Sequence, residues 1–393
     1  LAAQMTQVSA DTANPGADLS NWREAPFSAW AFHHVDQIVP TATIPAGGDV
    51  APLPATPLSL EGFSVTPFGG QPLDLDGFLK ATSTDAMVIL KAGAVVFETY
   101  ANGNDGATPH ILMSATKAVT GLLAGVLRES GELDVDAPVS RYVPEIVHTA
   151  YEGATVRHLL DMRTGVVPEG AALDAYEAAS HWDPVPDEAS RPSFHDVFRT
   201  LDVPHKPHGG PFRYISANTD LLGWAIERAG GKPYGQLLSE RLWRPMGAET
   251  DAYITTDKVG SPRCTGGLCA TVRDFARLGQ LVLECGVRNG HAVVPAAWIE
   301  DIVGGGDAAA WRDGEWGQVF TPIGKEMRYR AGWYIVDDDP KHLFAMGIHG
   351  QNLFIDRAAD LVIAKQSSQA ERFDYRAVLT THRAVTKLRQ LLG

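Results

Sequence analysis

Two β-rich runs, Met87-Val88-Ile89-Leu90 and Val95-Val96-Phe97-Glu98-Thr99-Tyr100, flank Lys91-Ala92-Gly93-Ala94 and predict a hairpin. From Ser114 the period changes. Ala118, Leu122, Val126 and Leu127 recur at helical spacing, and Gly131 supplies a stop signal. The stretch from about 139 to 289 reads as mainly helical, most clearly over 156–162, 219–229 and 271–283. Asn289-Gly290 predicts a second hairpin, between Leu281-Val282-Leu283 and Ala292-Val293-Val294. Strands return over 332–336, 343–348, 353–355 and 361–365. A last helix runs from Tyr375 to Leu392, with Val378, Val385, Leu388 and Leu392 on one face.

Strands at both ends and helices between them predict an α+β fold. Its antiparallel sheet is flanked by helices and interrupted by an inserted all-helical domain. The expected division is 1–138 and 290–393 for the two parts of the α/β domain, and 139–289 for the insertion. Residues 1–29 are polar and turn-rich and read as an irregular leader. Residues 40–72 hold Pro40, Pro45, Pro52, Pro54, Pro57, Pro67 and Pro72, plus Gly47, Gly48, Gly69 and Gly70. So many breakers exclude a long regular element there and predict an extended arm wrapping a core.

Composition changes this picture little. Hydrophobic residues make up 45% of the 393, which supports a large core. A formal net charge of -14 argues against nucleic acid and anionic membrane surfaces as partners, because both need a basic footprint. No run of about 18 apolar residues predicts a membrane span. Leu1 follows no basic segment, which leaves the compartment open between bacterial cytoplasm and periplasm. Cys264, Cys269 and Cys285 are too few for a disulfide framework; Cys264 and Cys269 could pair if a loop brought them together, but buried free thiols are the favoured reading.

The candidate chemistry begins at Ser114-Ala115-Thr116-Lys117. A helix places residues i and i+3 on one face, so Lys117 can reach the Ser114 hydroxyl. Serine needs a base, and a desolvated lysine can lose its proton and become one. Alone, the motif also fits a Ser N-cap followed by a solvated Lys. Its apolar flanks, Ile111-Leu112-Met113 and Ala118 to Leu123, favour a buried base. A second motif, Tyr214-Ile215-Ser216-Ala217-Asn218-Thr219-Asp220, opens a helix and offers Tyr214 as a core tyrosine, the commoner fate of a lone Tyr, or as a proton relay. A third, Gly347-Ile348-His349-Gly350-Gln351-Asn352, ends an apolar strand. Glycine there lets a ligand approach, so an edge amide could pair with the Ser114 amide as an oxyanion site; a structural bulge is the other reading. His349 alone fits a structural histidine better than a base. No H-E-x-x-H, G-x-S-x-G or P-loop signature occurs, and Gly304-Gly305-Gly306 reads as a turn.

Together these motifs resemble the serine β-lactamase and penicillin-binding family, especially its class C, esterase and nylon-oligomer-hydrolysing branches. That family carries S-x-x-K, then Y-x-N or Y-x-S, then a K-T-G-like strand. The matching segments here are Ser114–Lys117, Tyr214-Ile215-Ser216 and Ala345-Met346-Gly347. The resemblance implies a β-lactamase/transpeptidase-like fold and a serine hydrolase that works through an acyl-enzyme. Lys117 would be the base, Tyr214 the proton relay, and the Ser114 and Ile348 amides the oxyanion donors. No metal or organic cofactor is implied. The partner is a small ester or amide, and a homodimer is a common assembly of such enzymes. Glu169, Ala171, Ser216, Trp333, Tyr334, Gly347 and His349 are the expected substrate contacts. Two departures matter. Ala345-Met346 replaces Lys-Thr, and Ser216 replaces the Asn of β-lactamases, which argues against β-lactam and peptide substrates. The loop Pro168-Glu169-Gly170-Ala171-Ala172-Leu173 lacks the tyrosine that assists amide cleavage in the nylon-oligomer branch. Carboxylic esters are therefore expected ahead of linear amides such as 6-aminohexanoate oligomers. The other readings are a β-lactamase or DD-peptidase, an acyltransferase, and a non-catalytic peptidoglycan- or ligand-binding module.

Overall fold

The computed structural model describes residues 13–338 and 341–393; residues 1–12 of the expected leader lie outside it. Seven antiparallel strands form the main sheet, in the order Ala94–Tyr100, Thr84–Lys91, Leu361–Ser367, Gln351–Asp356, His342–Gly347, Trp333–Val336 and Met327–Arg330. Strands from the two ends of the chain thus share one sheet. The predicted hairpin turns at Ala92 and Gly93, both at positive φ, as a tight two-residue turn needs.

Both faces of this sheet are covered, which explains why its strands are apolar almost throughout. Met87, Ile89, Phe344, Phe354 and Ile363 share one core with Ala384, Val385, Leu388 and Leu392 of the C-terminal helix Tyr375–Leu392. Val88, Leu90, Ala345, Leu353, Val362 and Ala364 point the other way. They join a larger core with the helices Thr116–Glu129 and Val272–Leu283. Among the described residues no helix is long and apolar enough to cross a membrane.

The helices expected over 156–162, 219–229 and 271–283 form as Val156–Leu160, Ser216–Gly230 and Val272–Leu283. Two features between 139 and 289 were not anticipated. Ala252–Thr255 and Leu268–Ala270 are strands, and with Thr41–Ile44 and His110–Ile111 they make a second, four-stranded sheet. The Asn289-Gly290 turn exists, but it joins the two-residue strands Val287–Arg288 and His291–Ala292. Leu281, Val282 and Leu283 belong to the preceding helix. The arm at 40–72 contributes only the strand Thr41–Ile44 and isolated bridges such as Ala55 to Val95. The described part of the leader is turn-rich but not loose: Trp22 and Phe32 are buried. All three cysteines are free, and Cys264 and Cys269 are buried.

One junction fixes the position of the site. The turn Ala331-Gly332 docks on the first turns of the helix Thr116–Glu129. A Cβ on Gly121 would overlap the Ala331 carbonyl, and one on Gly332 would overlap that of Lys117. Asp161 grips the same turn, accepting from the Ala331 amide at 3.1 Å and from Arg330 at 2.7 Å, while Arg330 also reaches Asp301. Gly121→Ala is expected to lower stability by about 3 kcal/mol, since backbone cannot yield as a flexible side chain can. Urea denaturation measures it.

Candidate active site

The chain reaches Ser114 under tight constraint. The Ile111 and Leu112 amides donate to Phe32 and Leu268 carbonyls, both at 2.8 Å. Met113 then turns at φ +46°, a left-handed conformation that a non-glycine residue adopts only when its surroundings enforce it. A 3₁₀ turn, Met113–Ala115, leads into the helix. Within the sequence 111–117 only Ser114 is not buried.

Gly347 at the end of the strand His342–Gly347 packs directly on this turn. A Cβ there would lie 2.5 Å from the Leu112 carbonyl and 2.9 Å from the Ser114 nitrogen. Only glycine lets the strand end come so close. The residue after it, Ile348, then lines the same cleft as Ser114. His349 (φ +60°) and Gly350 (φ +90°) make the turn that follows. His349 is buried; its Nδ1 bonds to the Gln369 carbonyl at 2.7 Å, and its amide donates to Arg372. Burial, against that hydrogen bond and with Arg372 and Arg23 nearby, holds the imidazole down at about 4. It is therefore a neutral structural histidine at physiological pH.

Lys117 is 2% exposed. Its Nζ donates to Ser114 Oγ at 3.0 Å and to the Thr265 carbonyl at 2.8 Å, and it lies 4.6 Å from the centre of the Tyr214 ring. Burial pushes its pKa well below the usual lysine range; Arg263 pushes the same way, and Asp220 opposes. Asp220 organises this wall. It accepts from Tyr176 at 2.5 Å, from the Thr265 amide at 2.9 Å and from Arg263 at 3.3 Å. The Thr265 carbonyl is thereby presented to Lys117. A neutral Lys117 has a lone pair within reach of the serine proton, which is what an acyl-forming serine requires.

Tyr214 stacks on Trp316, with ring centroids 4.4 Å apart. Burial raises its pKa, against the lowering influence of the neighbouring Ser114 and Tyr334 side chains. It is thus a proton-bearing phenol that lines the cleft together with Ser114.

The cleft has two lobes that meet at Ser114, Tyr214, Ile348 and Arg372. One, of about 520 Å³, includes Val167, Leu173, Ser216, Thr265 and three arginines. The other, of about 480 Å³, includes Trp316, Phe320, Tyr334, Met346, Gly347 and Phe373. Of the expected substrate contacts, Ser216, Tyr334 and Gly347 line the cleft. Trp333 does not. It is fully buried in the core under the sheet, because neighbouring strand residues point to opposite faces and Tyr334 takes the cleft side. Glu169 and Ala171 are exposed and off the cleft; Val167, Pro168 and Leu173 of the same loop line it instead. Arg23, Tyr176, Arg263, Thr265, Trp316 and Arg372 were not anticipated. Asp220 stood inside a quoted motif, but nothing local marks the others.

Residues 75–387 match the family model described as Beta-lactamase. The 6-aminohexanoate-dimer hydrolase of Paenarthrobacter ureafaciens is 34% identical over 361 residues, covering 89% of this chain and 88% of that protein. A solved structure from Bacillus anthracis, provisionally assigned as a 6-aminohexanoate-dimer hydrolase, superposes with a TM-score of 0.85 at 27% identity, over 96% of this chain and 98% of the other. A family VIII carboxylesterase shares the fold, with a TM-score of 0.58 at 18% identity, over 79% of this chain and 95% of its own. The chain belongs to the β-lactamase family and is a hydrolase of the β-lactamase fold.

Proposed function

We propose that this chain is a serine hydrolase that forms an acyl-enzyme on Ser114 and acts on carboxylic esters, with linear amides as slower substrates. The observation that carries the reading is the 3.0 Å contact between Ser114 Oγ and a lysine amine that is almost wholly buried. Lys117 takes the serine proton as Oγ attacks the carbonyl carbon. The oxyanion forms between the Ser114 and Ile348 amides. The proton returns through Tyr214 to the leaving group, and water then releases the acyl group.

Two features favour esters over amides. The cleft loop carries no tyrosine between Val167 and Leu173, and the Tyr176 hydroxyl is already engaged by Asp220. An amine leaving group needs a proton in the transition state, whereas an activated phenolate does not. A β-lactamase or peptidase is disfavoured because Ala345 is buried in the core and Met346 faces the aromatic lobe, so the strand presents no cation.

The test is a panel of p-nitrophenyl esters, nitrocefin and the linear 6-aminohexanoate dimer, run on wild type and Tyr214→Phe. Esters should lead the panel. Tyr214→Phe should lower amide turnover by roughly 100-fold and p-nitrophenyl ester turnover by only a few-fold, as expected for loss of a general acid. Nitrocefin leading the panel, or equal losses on ester and amide, would contradict the assignment.

A further inference from the structure

The three arginines of the larger lobe differ in how they are matched. Arg263 pairs with the buried Asp220 at 3.3 Å, and Arg23 pairs with Asp183. Arg372 is exposed, and no carboxylate pairs with it among the described residues. It lines both lobes, and its carbonyl accepts from the His349 amide at 3.0 Å, next to Ile348. Arg23, Arg263 and Arg372 also feel one another. Burial is the main reason the Arg23 guanidinium is held below its usual range, Asp183 opposes, and the other two arginines add to the lowering. An anion entering the lobe relieves that repulsion and gains charge-assisted hydrogen bonds from planar, fork-shaped donors. The one further carboxylate on the lobe, Glu177, is exposed and belongs to the helix Ala171–Ala179.

The second lobe has a different chemistry. Trp316, Phe320, Tyr334 and Phe373 line it; Trp316 stacks on Phe320 at 5.2 Å and on Tyr214 at 4.4 Å. Such a surface favours apolar or aromatic groups. Ser114 stands where the two meet.

We propose that the cleft selects an ester or amide with a carboxylate on one side of the scissile bond, held by Arg372 and Arg23, and an apolar group on the other, held by Trp316, Phe320 and Phe373. This rests on the serine-hydrolase reading above. It goes beyond it by naming a charge requirement at a site distinct from the Ala345-Met346 strand.

The test compares kcat/KM for p-nitrophenyl esters of matched eight-carbon acids: the suberate monoester (anionic), the octanoate (neutral) and the 8-aminooctanoate (cationic). A second pair, phenyl octanoate and its 4-carboxyphenyl analogue, moves the carboxylate to the leaving-group side. At low salt the anionic member of at least one series should be preferred by about tenfold or more, the scale of a charge-assisted hydrogen bond. Arg372→Gln should cut that ratio severalfold. Preference for the neutral or cationic ester in both series overturns the proposal, as does a preference that survives Arg372→Gln. Labelling of Ser114 by a fluorophosphonate separates the two levels. A protein that labels there but shows no charge preference refutes only the carboxylate site. One that neither labels nor turns over any ester refutes the hydrolase reading itself.

Discussion

Ser114→Ala is expected to lower ester turnover by roughly 10³-fold or more, with the fold intact. The substitution removes one oxygen from a residue that is only partly buried, while the 3₁₀ turn, the Gly347 contact and the Leu112 to Leu268 hydrogen bond remain. The proposed oxyanion donors are backbone amides and remain too, so some residual rate is expected. What is lost is the covalent route. Steady-state kinetics on p-nitrophenyl esters, with circular dichroism to verify the fold, measure this. Turnover within tenfold of wild type would mean that another group performs the chemistry.

Lys117→Ala should produce a loss of similar order, about 10²- to 10⁴-fold, the range for removing a general base. Its pH dependence carries more information. Burial depresses the Lys117 pKa, so the amine is the form the folded protein favours. Wild-type kcat/KM should therefore fall as pH drops through that depressed pKa, and this acid limb should vanish in Lys117→Ala. The stability linkage has a definite sign. Between the folded and unfolded pKa values the unfolded chain binds one more proton, so this lysine makes the protein less stable as pH falls through that window. Lys365 has the same sign: it is wholly buried, and burial lowers it to about 7. The two separate by readout. Lys365 lies on the inner strand Leu361–Ser367, beside Ser367, away from the cleft. A stability change that persists in Lys117→Ala while the kinetic limb disappears assigns each lysine its part.

The main sheet and the meeting of Ser114 with Lys117 were legible because each rests on local pattern. The β-rich runs near 87 and 95, the strands between 332 and 365 and the C-terminal helix all show in their own residues. Ser114 and Lys117 are one helical turn apart, so their meeting needs no knowledge of the rest of the chain. Tyr214, Gly347 and Ile348 are distant in sequence, and only family motifs joined them to Ser114.

What was not legible has four physical origins. Strands of two to four residues, such as Ala252–Thr255 and Leu268–Ala270, are too short to show a period of two. The Asn289-Gly290 turn was real, but the helix before it reaches Leu283, which leaves room only for a two-residue strand. Trp333 was named with Tyr334, although adjacent strand residues cannot share a face. The wall formed by Asp220, Arg263 and Thr265 is different again. It depends on hydrogen bonds spanning more than 40 residues, for which the sequence holds no spacing rule.

The acylation of Ser114 is tested most directly by rapid-quench mass spectrometry on wild type with a p-nitrophenyl ester in excess. The account predicts a transient mass gain equal to the acyl group, mapping to the peptide that contains Ser114 and absent in Ser114→Ala. Ester turnover with no adduct in the pre-steady state, or an adduct on another residue, would contradict it.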